Sequence, residues 1–164
     1  MMNIIFLLAL AAIAGCSSLP TPQNPNDFKS ILGTSSLLRS DKETIHRPIS
    51  EVRDSLSSVV NQCLNVTRTL SVNRGGTYGR SERDGLHAVL NNINPSFSQL
   101  SIQWKNLSGT NFDAPEKGFY VVVTDVNAIS PNATELTFYY ASTWSGTRKY
   151  VVEVASGKQE KCPN

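Results

Sequence analysis

Pro48-Ile-Ser-Glu-Val-Arg-Asp-Ser-Leu-Ser-Ser-Val-Val-Asn-Gln-Cys-Leu64 is the stretch whose reading decides the fold. Ile49, Val52, Leu56, Val59, Val60 and Cys63 recur at spacings of three and four, and Val66 extends the stripe. That is the period of one helix face. Glu51, Arg53, Asp54, Ser57, Ser58 and Asn61 fill the other side. Pro48 suits a first helical position, where a missing N–H costs nothing. The spacing predicts an amphipathic helix over 48–64, with Cys63 on its buried stripe.

Downstream the period changes from helical to alternating. Residues 66–72 alternate, as do 99–106 through Leu100, Ile102 and Trp104, so both read as strands. Residues 118–126 are β-branched and aromatic, the composition of a buried strand. Residues 135–141 follow a Ser130-Pro131-Asn132 turn signal and read as a further strand. Upstream, 41–47 reads as a short strand, and 28–38 as an apolar lead-in with a short helix. Two segments stay open. Residues 81–94 combine a capping-box-like Ser81/Asp84 start with alternation, and lean to strand. Residues 146–156 combine a β-branched run with a C-terminal Gly157, and lean to helix. The expectation is a two-layer α+β fold, an antiparallel sheet of four to six strands covered by one long amphipathic helix. In element order alone this resembles helix-grip or TBP-like domains, a likeness that carries no function.

The chain has 164 residues, enough for one domain. Hydrophobic residues are 40% and the formal net charge is +2. Wholesale disorder is excluded, and no broad positive field argues for nucleic acid. No apolar run is long enough for a spanning helix.

The N-terminus supplies an address. Ile4 to Ala14 contains no polar residue, and Gly15-Cys16 follows. The run fits a secretory h-region. Ile13-Ala14-Gly15-Cys16 resembles a bacterial lipobox. The resemblance implies a signal peptide over 1–15 and lipidation of Cys16, with acyl chains holding the mature protein to a membrane. Ser17, in place of Asp, implies sorting to the outer membrane with the domain facing the periplasm. Residues 16–27 carry Pro20, Pro22 and Pro25 and read as a lipidated cysteine followed by an extended tether. Residues 28–164 then form the single domain.

Apart from Cys16, the cysteines are Cys63 and Cys162. An exported compartment permits a bridge between them, closing a loop of about 100 residues. The alternative is a buried thiol at Cys63 and a reactive one at Cys162. No Cys-x-x-Cys occurs, so no redox or zinc motif is supported.

Candidate chemistry is sparse. His46 and His87 lie in no nucleophile setting, and no Gly-x-Ser-x-Gly occurs. Asp41, Glu43 and His46 lack a metal-ligand pattern, so neither metal nor cofactor is assigned. The Gly75–Arg80 stretch resembles a phosphate cradle only superficially. Arg68, Arg74, Arg80 and Arg83 make the most basic stretch, suited to an anionic headgroup, a glycan phosphate or an acidic partner. Of Tyr139 and Tyr140 one faces the helix and one faces out, and the outward one with Trp144 is a candidate aromatic patch. Three Asn-x-Ser/Thr sequons follow from Asn, Ser and Thr richness.

These observations point to a non-enzymatic envelope lipoprotein that binds a protein partner in an outer-membrane or periplasmic assembly. A carrier of a hydrophobic ligand is the second reading. A wall or glycan hydrolase, drawing on Glu43, His46, His87 or Asp125, is the third. Intact-mass analysis of the mature protein without reductant is expected to show Cys16 blocked by lipid and Cys63 joined to Cys162. Free thiols at both would remove the bridge.

Overall fold

The computed structural model describes residues 21–33, 36–72, 80–108, 115–159 and 162, with side chains except at 70–72 and 80–82. The expected signal peptide, Cys16, the first part of the expected tether and Arg74 lie outside the described residues.

Six strands form one antiparallel sheet: β1 (Leu38–Ile45), β2 (Thr67–Val72), β3 (Arg80–Asn94), β4 (Phe97–Asn106), β5 (Phe119–Ser130) and β6 (Ala133–Ala141), in the order β1-β6-β5-β4-β3-β2. The chain thus starts at one edge, crosses to the other, and meanders back strand by strand. The crossing is made by α2 (Ile49–Val59) and the single π-helical turn Val60–Leu64 that continues it. Sixteen helical residues reach about 24 Å, and the five gaps between six strands also span about 24 Å. The helix is therefore as long as the sheet is wide.

Register assigns the faces. Phe138 pairs with Thr124, Thr124 with Leu100, and Leu100 with Leu90, so these four point to one side. On that side Ile45, Leu136, Phe138, Val122, Val126, Leu100, Ile102 and Ala88 meet Val52, Leu56, Val59 and Cys63 in one buried cluster. α3 (Ser145–Ala155) adds Tyr150, Val151, Val154 and Ala155 to it.

The expected single long helix over the sheet is corrected here. The α-helix of 48–64 ends at Val59, and Val60–Leu64 is a π turn. The wider turn inserts a residue into the helical count, and Val59, Val60, Cys63 and Leu64 all become buried. Asn65 ends it. Its side-chain amide donates to Val60 O at 3.1 Å and to Ala88 O at 3.0 Å, and its Oδ1 accepts from Ala88 N. The cover on this face is shared between α2 and α3.

The second face has a cover of its own, α1 (Pro25–Ser30), with Asn24 as N-cap accepting from Asn26 N and Asp27 N. This corrects the tether boundary, because Pro25–Asp27 are the first turn of a docked helix. Pro25 preorganises that turn. Phe28 is buried and packs on Tyr120 with ring centroids 6.4 Å apart. Lys29 pairs with Asp125 at 3.0 Å.

Two glycines are required by geometry. Gly118 has φ +99°, and a Cβ there would lie 2.3 Å from Trp104 O. Gly157 has φ +71° and ends α3, with Lys158 N donating to Glu153 O at 2.9 Å.

Cys63 and Cys162 are bonded, 99 residues apart in sequence. The bond ties the chain beyond α3 to the buried end of α2. On the chain-entropy account a loop of this size contributes about 4.7 kcal/mol. The double variant C63S/C162S is expected to unfold at markedly lower urea than the oxidised protein, with reductant bringing the native chain to the same midpoint. Coincident midpoints for all three would remove the restraint.

Candidate functional site

The sheet has two dissimilar ends. At one end the β3–β4 and β5–β6 hairpins turn side by side, with Ala128 N donating to Ser96 O at 2.9 Å. Both hairpins are irregular there. Register shifts fall between Asn92 and Asn94 and between Ala128 and Ser130. The residue inside each irregularity is an isoleucine. Ile93 is 57% exposed and Ile129 is 54% exposed. A bulge takes its residue out of the pleat and re-aims it, which is why neither isoleucine reaches the core. Phe97, which pairs with Asn127, is half-buried in the same region.

This end is held firmly. Asn94 Oδ1 accepts from Ser96 N at 2.9 Å and from Ser96 Oγ at 3.0 Å. Arg53 of α2 donates through Nε to Ser98 Oγ at 2.7 Å and through Nη2 to Asn94 O. Ser98 Oγ passes a bond on to Asn92 Oδ1. Two apolar side chains thus stand in solvent on a braced frame, the setting of a contact surface.

The sequence-named residues distribute otherwise. Tyr140 and Trp144 pack against the main cluster. Tyr139 is on the opposite face, with Lys29 Nζ 5.4 Å from its ring centroid. The three therefore form no joint patch, a correction to the aromatic-patch expectation. Alternation along β6 separates Tyr139 from Tyr140. Arg68 is half-buried on β2 and Arg83 is exposed on β3. Arg80 begins β3, with its side chain outside the described set.

Asp41 and Glu43 belong to a structural cluster. Arg148 of α3 lies within 3.1 Å of Asp41 and 3.0 Å of Glu43, and its guanidinium stacks 4.9 Å over Phe138. Tyr140 donates to Asp41 at 3.0 Å. Burial, then the bond to Asp41, pushes the Tyr140 phenol above its ordinary range. The cluster locks α3 to β1 and β6. His46 is exposed just past β1. Among the described residues no three His, Cys, Asp or Glu groups converge as metal ligands.

A polar groove of about 540 Å³ lies between α2 and the chain after α3, lined by Arg47, Asp54, Ser58, Gln62, Gly157 and Gln159. Its guanidinium is committed. Arg47 donates to Ala155 O at 2.9 Å, where it serves the C-terminal end of α3, and to Glu51.

On the α1 face, Gln99, Ser101 and Gln103 are buried polar residues. Gln99 donates to Asp125 and Gln103 to Gly118 O, each at 2.9 Å. His87, opposite Gln103, has a buried Nε2 with no partner. Burial, and secondarily the charge of Lys117, lowers its pKa below 6.5. The unfolded chain therefore binds this proton more readily. Stability is expected to fall as pH drops from about 6.5 towards the lowered native value, and H87Q is expected to flatten that window in urea titrations. An unchanged slope in H87Q would show that His87 does not contribute.

No protein-family profile and no curated protein matches the chain. Among solved structures, a hypothetical protein from Helicobacter pylori aligns over 88% of this chain and 100% of its own, at 7% identity and a TM-score of 0.49. A protein from Rhizobium loti aligns over 76% of this chain and 98% of its own, at 15% identity and a TM-score of 0.37. One from Mycobacterium smegmatis aligns over 76% and 89%, at 9% identity and a TM-score of 0.36.

Proposed function

We propose that this protein is a lipid-anchored envelope lipoprotein, held in the outer membrane with its domain in the periplasm, where it serves as a non-enzymatic accessory binding a protein partner. The anchor rests on Ile13-Ala14-Gly15-Cys16 after an apolar run. The partner reading is carried by the exposure of Ile93 and Ile129 on adjoining, braced hairpins. Exposed β-branched side chains on a rigid frame lose little entropy on docking and gain by burial. The space that a hydrophobic ligand would need beneath the helices is filled. Val52, Leu56, Leu100, Ile102, Val122 and Phe138 are at most 1% exposed there. That packing favours partner binding over carriage of a lipid.

The test is crosslinking of the full lipoprotein in cells, followed by mass spectrometry of what it brings down. A protein in near-stoichiometric amount, lost from I93S/I129S while the variant keeps the native unfolding midpoint, is the expected result. A partner retained at the same yield by I93S/I129S would overturn this surface. Recovery of a lipid alone would overturn partner binding itself.

A further inference from the structure

We infer that the end of the sheet opposite Ile93 and Ile129 lies on the membrane, its basic side chains meeting anionic phospholipid headgroups. The inference rests on the lipid-anchor reading and goes beyond it, because an anchor on a loose tether would leave the domain free to tumble.

The docked α1 removes that freedom. Asp27 raises the Tyr120 pKa through its charge, secondarily to burial, and Phe28 packs on the Tyr120 ring. Five residues further along β5, Asp125 is paired with Lys29. The helix therefore begins beside the start of β5 and leads away from it. The chain between Cys16 and the Asn24 cap spans at most about 28 Å even when fully extended. A lipidated Cys16 would hold this end of the domain within that distance of the bilayer.

The same end is basic. β3 outruns β4 here. Asp84 pairs with Asn106, the last residue of β4, and Leu107 N donates to Arg83 O. Arg83 and Lys117 are exposed, and Arg68 and Lys105 are partly so. By register, Arg83 and Lys105 point to the α1 side, and Arg68, which pairs with Asp84, points to the other. Lys117 follows Glu116 in the turn that leads into β5. Among the described side chains the neighbouring acids are Asp27, Asp84 and Glu116, and Asp84 accepts from the Trp104 indole at 3.1 Å. Lys105 donates to Glu116 O at 2.7 Å, which fixes the turn carrying Lys117. Tether exit and basic cluster thus coincide in space although they are far apart in sequence. Each basic side chain near an anionic surface adds a favourable, salt-screened contact.

The experiment is lysine footprinting of the full lipidated protein in vesicles of phosphatidylcholine alone or with one-third phosphatidylglycerol. Lys158, beyond α3 and near Arg47 at the other end, is the internal control. Labelling of Lys117 and Lys105 is expected to fall about fivefold in the anionic vesicles, the effect of roughly one headgroup contact, with Lys158 unchanged. High salt and R68E/R83E should each restore it. Equal labelling of Lys105, Lys117 and Lys158 in both vesicles, on protein whose mass shows a lipidated Cys16, would overturn the orientation alone. An unlipidated Cys16 in the mature protein would overturn the anchor and the orientation together. Protection that persists in pure phosphatidylcholine would overturn the role of the anionic headgroup.

Discussion

The match between the length of α2 with its π turn and the width of the sheet is the constraint on which the structure depends. The chain has to leave β1 at one edge and start β2 at the other. It does so in one diagonal helical pass that buries Val52, Leu56, Val59, Val60 and Cys63. The pass ends at Asn65, whose side chain replaces ladder bonds to Ala88. β2 can then begin in register with β3. The disulfide fastens the far end of the same pass to the chain beyond α3. A shorter helix would leave the β2 edge unreached. A longer one would carry its apolar stripe past the core.

A sheet has two faces, and the second is closed by less material. Among the described elements only α1 lies on it, held by Phe28 in an apolar contact and by Lys29 in an ion pair. The polar residues Gln99, Ser101 and Gln103 are buried nearby, with the two glutamines bonded inward. Such a surface tolerates a short cover because its two buried glutamines find partners within the sheet and its neighbouring turn, whereas the buried His87 Nε2 stays without one. It follows that the N-terminal segment is structural from Asn24 onwards.

These two coverings give the molecule a polarity. The hairpin end carries exposed isoleucines on a braced frame, and the opposite end carries Arg68, Arg83, Lys105 and Lys117. For a domain held to a surface, that arrangement separates attachment from recognition. The polar groove beside α2 and the Arg148 cluster both belong to helix docking. In each, the arginine is already bonded to a helix end or to strand carboxylates.

The sequence by itself determined the amphipathic stripe of 48–64, the alternation of the strands and the pairing of the two cysteines that remain beside Cys16. These follow from local periods and from counting, which survive without any knowledge of neighbours. It left 81–94 and 146–156 open, because alternation and capping signals compete within a few residues and only pairing decides. It gave the first turn of α1, Pro25–Asp27, to the tether, since three prolines read as extended until Phe28 finds Tyr120. It suggested one long helix, since a π turn costs nothing in the sequence pattern and is selected by packing. It set the outward one of Tyr139 and Tyr140 beside Trp144, whereas Trp144 packs on the main cluster with Tyr140 and Tyr139 lies on the other face. Ile93 and Ile129 were passed over. An isoleucine beside Asn94-Pro95 or Ser130-Pro131 reads as a strand end bound for the core, and only the bulges turn it outwards. Whether an apolar side chain is buried or presented is a property of register, and register is set by partners distant in the chain.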